Sequence, residues 1–350
     1  MTAKKKSFKL PLSKVTKALL THLMGLGLSQ QDSESIASAL LWAEERGIKS
    51  HGLERVPAYT AQYKKGKINP NAAVKLISLD QTSLVVDADN GFAYPALDFA
   101  IKEMISRCSN QAICVAVVKN SHHCGALGYY MQQLASKGLV GLMCCNAPAC
   151  MVPWGGNKAL FGTNPIAFGC PRSNDSNDAQ GKKSQKSKSP LIIDLSLSQV
   201  SRGKVMLANF AKEDIPLGWA LDEQGKPTTD AAEALKGTML PLGGVKGYLL
   251  SLIVEILSAT LVGSNYSYES SSFFDDKGKP PGVGQFVMAI NPFKFNPGFA
   301  PRLEALCEAI LAQPDTRLPG IDKFIPEPNP SKKSTTKIEI SARTKEYINL

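Results

Sequence analysis

From Leu76 onward, short runs of β-forming residues alternate with stretches of helical periodicity, which limits the chain to folds that build a sheet from mid-sequence and cover it with helices. Strands are expected at 84–86, 113–118, 140–145, 166–169, 191–194 and 285–290, with helices at 94–106, through Ala135, at 202–210 and at 301–311. The valine-rich run at 113–118 feeds a polar turn, Ser121-His122-His123-Cys124-Gly125-Ala126, the layout of many α/β active sites.

Two helices precede this region. Val15, Leu19, Leu20 and Leu23 fall at helical spacing behind a cap at Ser13, and Gly25 and Gly27 end the run. A second helix starts at Ser29 with Asp32, turns Ile36, Leu40 and Ala43 inward, and stops at Gly47. It delivers Ser50, His51 and Arg55 just beyond a helix end. After 202–210, residues 218–222 read as a turn, and Gly243-Gly244-Val245-Lys246-Gly247 opens an apolar helix at 248–261. Residues 326–330 read as a linker before a short strand at 337–340, and there is no internal repeat.

Composition excludes several classes of function. With 350 residues, 43% hydrophobic and 20% charged, the chain can bury one large core or two domains. The net charge of +10 is concentrated at 4–6, 182–188 and 332–337, with no aromatic residues interleaved, so a nucleic-acid partner is not expected. The Ser-, Lys- and Asp-rich stretch 173–189 reads as a solvated surface loop. Eight cysteines form no C-x-x-C pair and the four histidines give no zinc spacing, so no metal is expected and the thiols should be buried and reduced, as in a cytoplasmic protein. Residues 1–12 are basic without the apolar run of a signal peptide. The longest apolar run, 248–262, carries Glu255 and reads as a buried core helix rather than a membrane span.

No G-x-G-x-x-G opens a helix after a strand, so the doubly wound dinucleotide fold is not expected, and P-loop and G-x-S-x-G motifs are also missing. What remains is a series of polar clusters. His51 is suited to proton transfer near neutral pH, although a histidine at a helix end can simply be satisfied by backbone. Ser50 can orient its ring, and Arg55 can grip a carboxylate in bidentate fashion. Gly125 would let a bound molecule approach the backbone beside His122 and His123. Thr163 and Asn164 precede Pro165 at a strand end. Asp194, ending an apolar strand, can orient His51 or bond a cofactor, and the sequence leaves both open. Arg202 offers a second positive charge, and Lys246 with the amides of Gly244 and Gly247 can meet a phosphate.

Taken in order, Ser50-His51-Gly52-Leu53-Glu54-Arg55, Ser121-His122-His123-Cys124-Gly125, Phe161-Gly162-Thr163-Asn164-Pro165-Ile166-Ala167-Phe168, Asp194-Leu195-Ser196 with Arg202-Gly203-Lys204, and Gly243-Gly244-Val245-Lys246-Gly247-Tyr248 resemble the malate/L-lactate dehydrogenase family over residues 10–340. That family also holds ureidoglycolate and sulfolactate dehydrogenases and cyclic imino-acid reductases. The resemblance implies an α/β fold with a non-Rossmann NAD(P)-binding domain, whose large mixed sheet spans 76–300, and a helical portion formed by 1–75 and 301–350. It implies a 2-hydroxy acid dehydrogenase using NAD or NADP on a small carboxylate substrate, with a reductase of piperideine- or pyrroline-2-carboxylate as the alternative and an inactive cofactor-binding protein as the non-enzyme rival. Lys204 favours the hydroxy-acid branch.

By the same resemblance Ser50, His51 and Asp194 are catalytic, with His51 preferred to His122 or His123 as proton donor. Arg55, His123, Thr163 and Arg202 bind substrate. His122, His123, Cys124, Gly125, Ala126, Asp194, Leu195, Ser196, Val245, Lys246, Pro319 and Gly320 bind cofactor. Val245 and Ile321 depart from residues common in relatives. Members of the family resembled are homodimers, so a homodimer is expected.

Overall fold

Val15, Leu19 and Leu23 share one helical face and are 0–2% exposed, which fixes the first helix against the rest of the chain. The computed structural model describes residues 7–78, 80–172, 188–320 and 337–350. Strand β1 (Ser7–Pro11) leads into α1 (Leu12–Gly25), α2 (Gln30–Glu45) and α3 (Val56–Lys64). Ser13 does not cap α1; the helix begins at Leu12, directly after Pro11, without a side-chain cap. Ser29 does cap α2, its Oγ accepting the Asp32 N–H at 3.1 Å.

The strands β2 (Lys75–Ser78), β3 (Ser83–Asp87), β4 (Ile113–Ser121), β5 (Val140–Cys145), β6 (Ile166–Cys170) and β7 (Leu191–Leu195) alternate with helices α4 (Ala93–Cys108) and α5 (Gly128–Ser136). After α6 (Arg202–Ala211) come β8 (Ala220–Leu221), β9 (Pro227–Thr228), α7 (Ala231–Lys236), β10 (Thr238–Met239), α8 (Val245–Glu255), β11 (Val283–Ile290), α9 (Phe299–Leu311), β12 (Lys337–Ser341) and α10 (Ala342–Tyr347). Seven strands form one sheet in the order β2-β3-β4-β11-β5-β6-β7. Only β3 and β4 run parallel, so the sheet is mixed, as expected.

Alternation along β4 divides the interior. Cys114, Ala116 and Val118 join the core that runs through α1, α2, α4, β12 and the C-terminal Ile348, whereas Val117 packs with Phe286 and Val254 on the opposite face. The β1–β12 pair and the packing of α10 on α3 tie both ends of the chain to this layer. α9 lies elsewhere: Arg172 and Lys188 both bond its Glu304, at 2.7–3.0 Å. All eight cysteines are free and buried.

Two expectations need correction. Gly218 makes a turn, but Ala220 and Leu221 go on to form the middle strand of a small sheet, β10-β8-β9, packed with α6 and α7. The apolar run expected as a buried core helix is α8 continued by a π turn at Ile256–Thr260, and only one side of it is buried. Ser251, Val254, Glu255, Ser258 and Ala259 face the interior, while Leu249, Ile253 and Ile256 are 48–50% exposed. A run apolar on both faces conceals which one the sheet covers. Among the described residues no helix is long and apolar enough to cross a membrane. Most of the loop expected at 173–189, the linker at 326–330 and Ile321 lie outside the described residues.

Candidate active site

α2 ends through Gly47, whose φ of +71° suits a residue without a side chain. Its N–H bonds Glu44 O at 3.0 Å and the Ile48 N–H bonds Ala43 O at 2.9 Å, a Schellman cap that reverses the chain into two tight turns, Lys49–His51 and Leu53–Arg55. Buried Glu44 stabilises these turns, its Oε2 accepting the Leu53 N–H at 3.0 Å. A Cβ at residue 52 would lie 2.4 Å from that oxygen, which accounts for Gly52. Burial raises the Glu44 pKa.

Ser50, His51 and Arg55 line a cavity of about 420 Å³, together with His122, His123, Cys124 and Gly125 from the turn after β4. The two histidine sites that compete on sequence grounds are therefore one site: the rings of His51 and His123 stack with centroids 5.3 Å apart. Ser50 Oγ bonds His51 Nδ1 at 2.9 Å. His123 Nδ1 bonds the Tyr59 hydroxyl, which bonds Tyr94 Oη at 2.8 Å. Gly125 N–H also points at that nitrogen, at 3.4 Å, which makes Nδ1 the acceptor and leaves the His123 proton on Nε2.

Burial, followed by the nearby Arg55 charge, lowers the pKa of His51 to about 4 and that of His122 to about 3, and holds His123 well below the usual histidine range. All three rings are neutral at pH 7. Arg55 is 6% exposed; its Nη2 donates to Phe273 O at 2.8 Å and its guanidinium lies 5.0 Å from the Phe274 ring. Its Nε and both ring nitrogens of His122 are buried without a partner. Orphaned donors and acceptors in a cavity wall mark a place that a polar ligand completes. Thr163 and Arg202 complete the wall, which contains no Asp or Glu side chain among the described residues.

The sequence model of a family described as malate/L-lactate dehydrogenase matches residues 10–327. The chain belongs to the malate/L-lactate dehydrogenase family. It is 42% identical to a (2R)-3-sulfolactate dehydrogenase (NADP(+)) of Chromohalobacter salexigens, over 85% of each chain. It is 34% identical to a Δ1-pyrroline-2-carboxylate/Δ1-piperideine-2-carboxylate reductase of Pseudomonas putida, over 90% of this chain and 89% of that one. The crystal structure of a dehydrogenase from Sinorhizobium meliloti superposes with a TM-score of 0.85 at 29% identity, covering 99% of this chain and 98% of the other. The resemblance read from the motifs stands, and with it the reading of an NAD(P)-dependent 2-hydroxy acid dehydrogenase.

Part of the motif Phe161–Phe168 serves packing rather than chemistry in this malate/L-lactate dehydrogenase family member. A Cβ at Gly162 would lie 2.2 Å from Ala147 O, and Asn164, with φ +38°, donates to Glu255 Oε2 at 2.8 Å and Ser251 O at 3.1 Å. Glu255, 5% exposed, also accepts from Ser267 N and Oγ, both at 2.7 Å, and from Asn146, which lines the cavity.

The remaining sequence candidates lie outside the wall. Asp194 is not directed at His51; its Oδ2 accepts the Gly128 N–H at 2.8 Å, at the start of α5, where a carboxylate meets the positive end of the helix. Leu195 pairs with Ile166 on the edge strand, Ser196 follows it, and Gly320 comes so close to β7 that a Cβ there would lie 2.9 Å from Ile192 N. Pro319 precedes that contact. Ala126 is buried beside Gly125, and Val245 and Lys246 are exposed in the first turn of α8. Lys204 is exposed on α6 and outside the wall, so it bears on substrate only through the resemblance.

Sequence reasoning missed Tyr59, Asn146, Phe273 and Phe274. Tyr59 sits four residues after Arg55, one turn along the same segment, and that spacing was an available signal. The Ser-rich stretch holding Phe273 and Phe274 has no periodicity that would have pointed to a wall.

Proposed function

We propose that this enzyme interconverts a 2-hydroxy acid and its 2-oxo acid with NAD or NADP, His51 carrying the proton of the C2 oxygen. The observation that supports it is one cavity holding the Ser50–His51 pair beside Arg55 and Arg202, with no carboxylate in its wall. Arg55 holds the substrate carboxylate, and Thr163 and His123 bound the same space. Ser50 fixes the His51 ring through Nδ1, which leaves Nε2 for the substrate oxygen. Neutral His51 accepts the hydroxyl proton during oxidation; during reduction it returns that proton, helped by a substrate carboxylate that offsets the Arg55 charge.

The cofactor fits this chain on one observation, the unpartnered nitrogens of His122 in the wall. Gly125 does not open its backbone to a ligand as expected, because its φ is +72° and Tyr94 fills the space where a Cβ would lie, with Oη 2.9 Å away. When bound, NAD(P) supplies or takes the hydride at C2. His122, Cys124, Gly125 and Ala126 would hold the nicotinamide end of the cofactor, while Asp194, Leu195, Ser196, Val245, Lys246, Pro319 and Gly320 would hold the remainder.

Two arginines in one wall suit a substrate with a second anionic group, and the 42% identical relative acts on 3-sulfolactate. Sulfolactate and malate therefore lead the list of substrates. A cyclic imino acid is the second reading, supported by the 34% identical reductase. The exposed apolar stripe of α8 supports a homodimer, and the eight free thiols support a cytoplasmic setting.

Oxidation of NADH and NADPH is followed with sulfopyruvate, oxaloacetate, pyruvate and Δ1-piperideine-2-carboxylate, comparing the native enzyme with His51→Ala. Reduction of a 2-oxo acid, slowed at least ~100-fold in the variant, is the expected result. Turnover of the imine alone would replace the first reading by the second.

A further inference from the structure

One buried cation takes no part in the chemistry above. Lys67 follows α3, held by that helix's own cap: Gly66 N–H bonds Tyr63 O at 3.1 Å and Lys67 N–H bonds Gln62 O at 2.9 Å. Its side chain is 1% exposed. Nζ donates to the carbonyls of Ser272 at 2.7 Å, Asp275 at 3.0 Å and Lys277 at 2.7 Å, with Asp275 Oδ1 at 3.5 Å. Three carbonyls take up all three N–H bonds of an ammonium group, and a carboxylate balances its charge.

Every one of these acceptors belongs to a single loop, and that loop carries Phe273 and Phe274 into the cavity wall. Phe273 packs 5.4 Å from the His122 ring and 5.2 Å from His123, while its carbonyl receives Arg55 Nη2 and Gln62 Nε2. The loop has no strand or helix of its own between residues 272 and 277 to hold it in place.

We propose that Lys67 is a positioning residue, a built-in monovalent cation whose carbonyl cage sets the Phe273–Phe274 wall and, through the Phe273 carbonyl, the aim of Arg55. This rests on the reading of the cavity as the site of a carboxylate substrate. The wall contributes to binding rather than to proton or hydride transfer, so losing it weakens substrate capture more than turnover. A cage of oxygens around one cation is also a site that a separate cation can refill once the side chain is cut away.

Lys67→Met and Lys67→Ala are compared with the native protein by two readouts. Trypsin cuts after Lys277, whose carbonyl is one of the three that Lys67 holds, so the rate of that cut reports the clamp without any need for activity. Cleavage there should accelerate about tenfold or more, and KM for the 2-oxo acid should rise about tenfold with a smaller change in kcat. Propylammonium should bring KM of Lys67→Ala back toward the native value and leave Lys67→Met unchanged, because the methionine fills the space. A folded Lys67→Met with native cleavage and native KM would overturn the proposal, and so would a released loop with KM unaltered. Should neither variant fold, Lys67→Gln, which removes the charge and leaves at most two N–H donors for the three carbonyls, is judged by the same two outcomes. If the native protein reduces none of the acids, the functional reading falls, and the trypsin arm still decides whether Lys67 clamps the loop.

Discussion

His51 meets two opposed requirements, because a base must start neutral and an acid must start protonated. Burial and the Arg55 charge settle the free enzyme on the neutral side, with a pKa of about 4. A lowered pKa means that protonation occurs only as pH falls through that value. For oxidation of the hydroxy acid, kcat/KM should therefore stay flat from pH 9 to about 5 and decline as pH passes below about 4. For reduction, kcat/KM should fall about tenfold per pH unit above the pKa, as the protonated fraction does. Initial rates in both directions test this, and a break near the ordinary value of 6.5 in the oxidative profile would count against the assigned burial. Ser50, His51 and Arg55 were legible in the sequence because a glycine stop places them within one short segment. Asp194 was only half legible: a carboxylate ending a strand can serve a histidine or a helix N-terminus equally well, and only the fold shows that α5 takes it.

Among the elements, α8 carries the clearest conflict between sequence and packing. Its inner face packs on β4 and β11 through Val254, and its buried Glu255 is fully bonded, whereas Leu249, Ile253 and Ile256 leave an apolar stripe uncovered in the single chain. If a second copy covers that stripe, Ile253→Glu places a charge in a desolvated contact and should convert dimer to monomer in sedimentation equilibrium with helicity retained. A native protein that is already monomeric would refute the dimer, and an unaltered dimer in the variant would move the contact off this face. Most helices and strands were legible from period and caps, to within a few residues. The ends of α1 and α8 and the small strand β8 were not, because their limits are set by Pro11, by Gly244 against Trp154 and by pairing with Thr228, none of which local propensity encodes.

On the scale of the whole molecule, all four histidines have lowered pKa values, with burial the leading cause in each. The unfolded chain binds protons on these rings near pH 6.5, while the folded chain takes them at His51 only near 4 and at His122 near 3. Stability is thus full above the unfolded value and is lost as pH falls from about 6.5 toward 3, by about 1.4 kcal/mol per pH unit for each ring still neutral in the fold. Urea midpoints should stay level from pH 7.5 to about 6.5 and then drop steadily toward pH 4.5; a series level throughout would mean that the rings are hydrated. The mixed sheet was expected from the family resemblance, but its strand order was not readable, since β11 pairs with β4 and β5 across a separation that no local pattern records.

That strand order has a consequence in time. β11 lies between β4 and β5, yet the ribosome makes it about 140 residues after β5, roughly 7 to 28 seconds later at ordinary rates of synthesis. Until then β4 and β5 lack the strand that each pairs with, and any direct pairing of β4 with β5 has to come apart before the finished sheet can form. The central strand of the sheet is therefore the last of its seven strands to be synthesised, and the sheet can close only after β11 emerges.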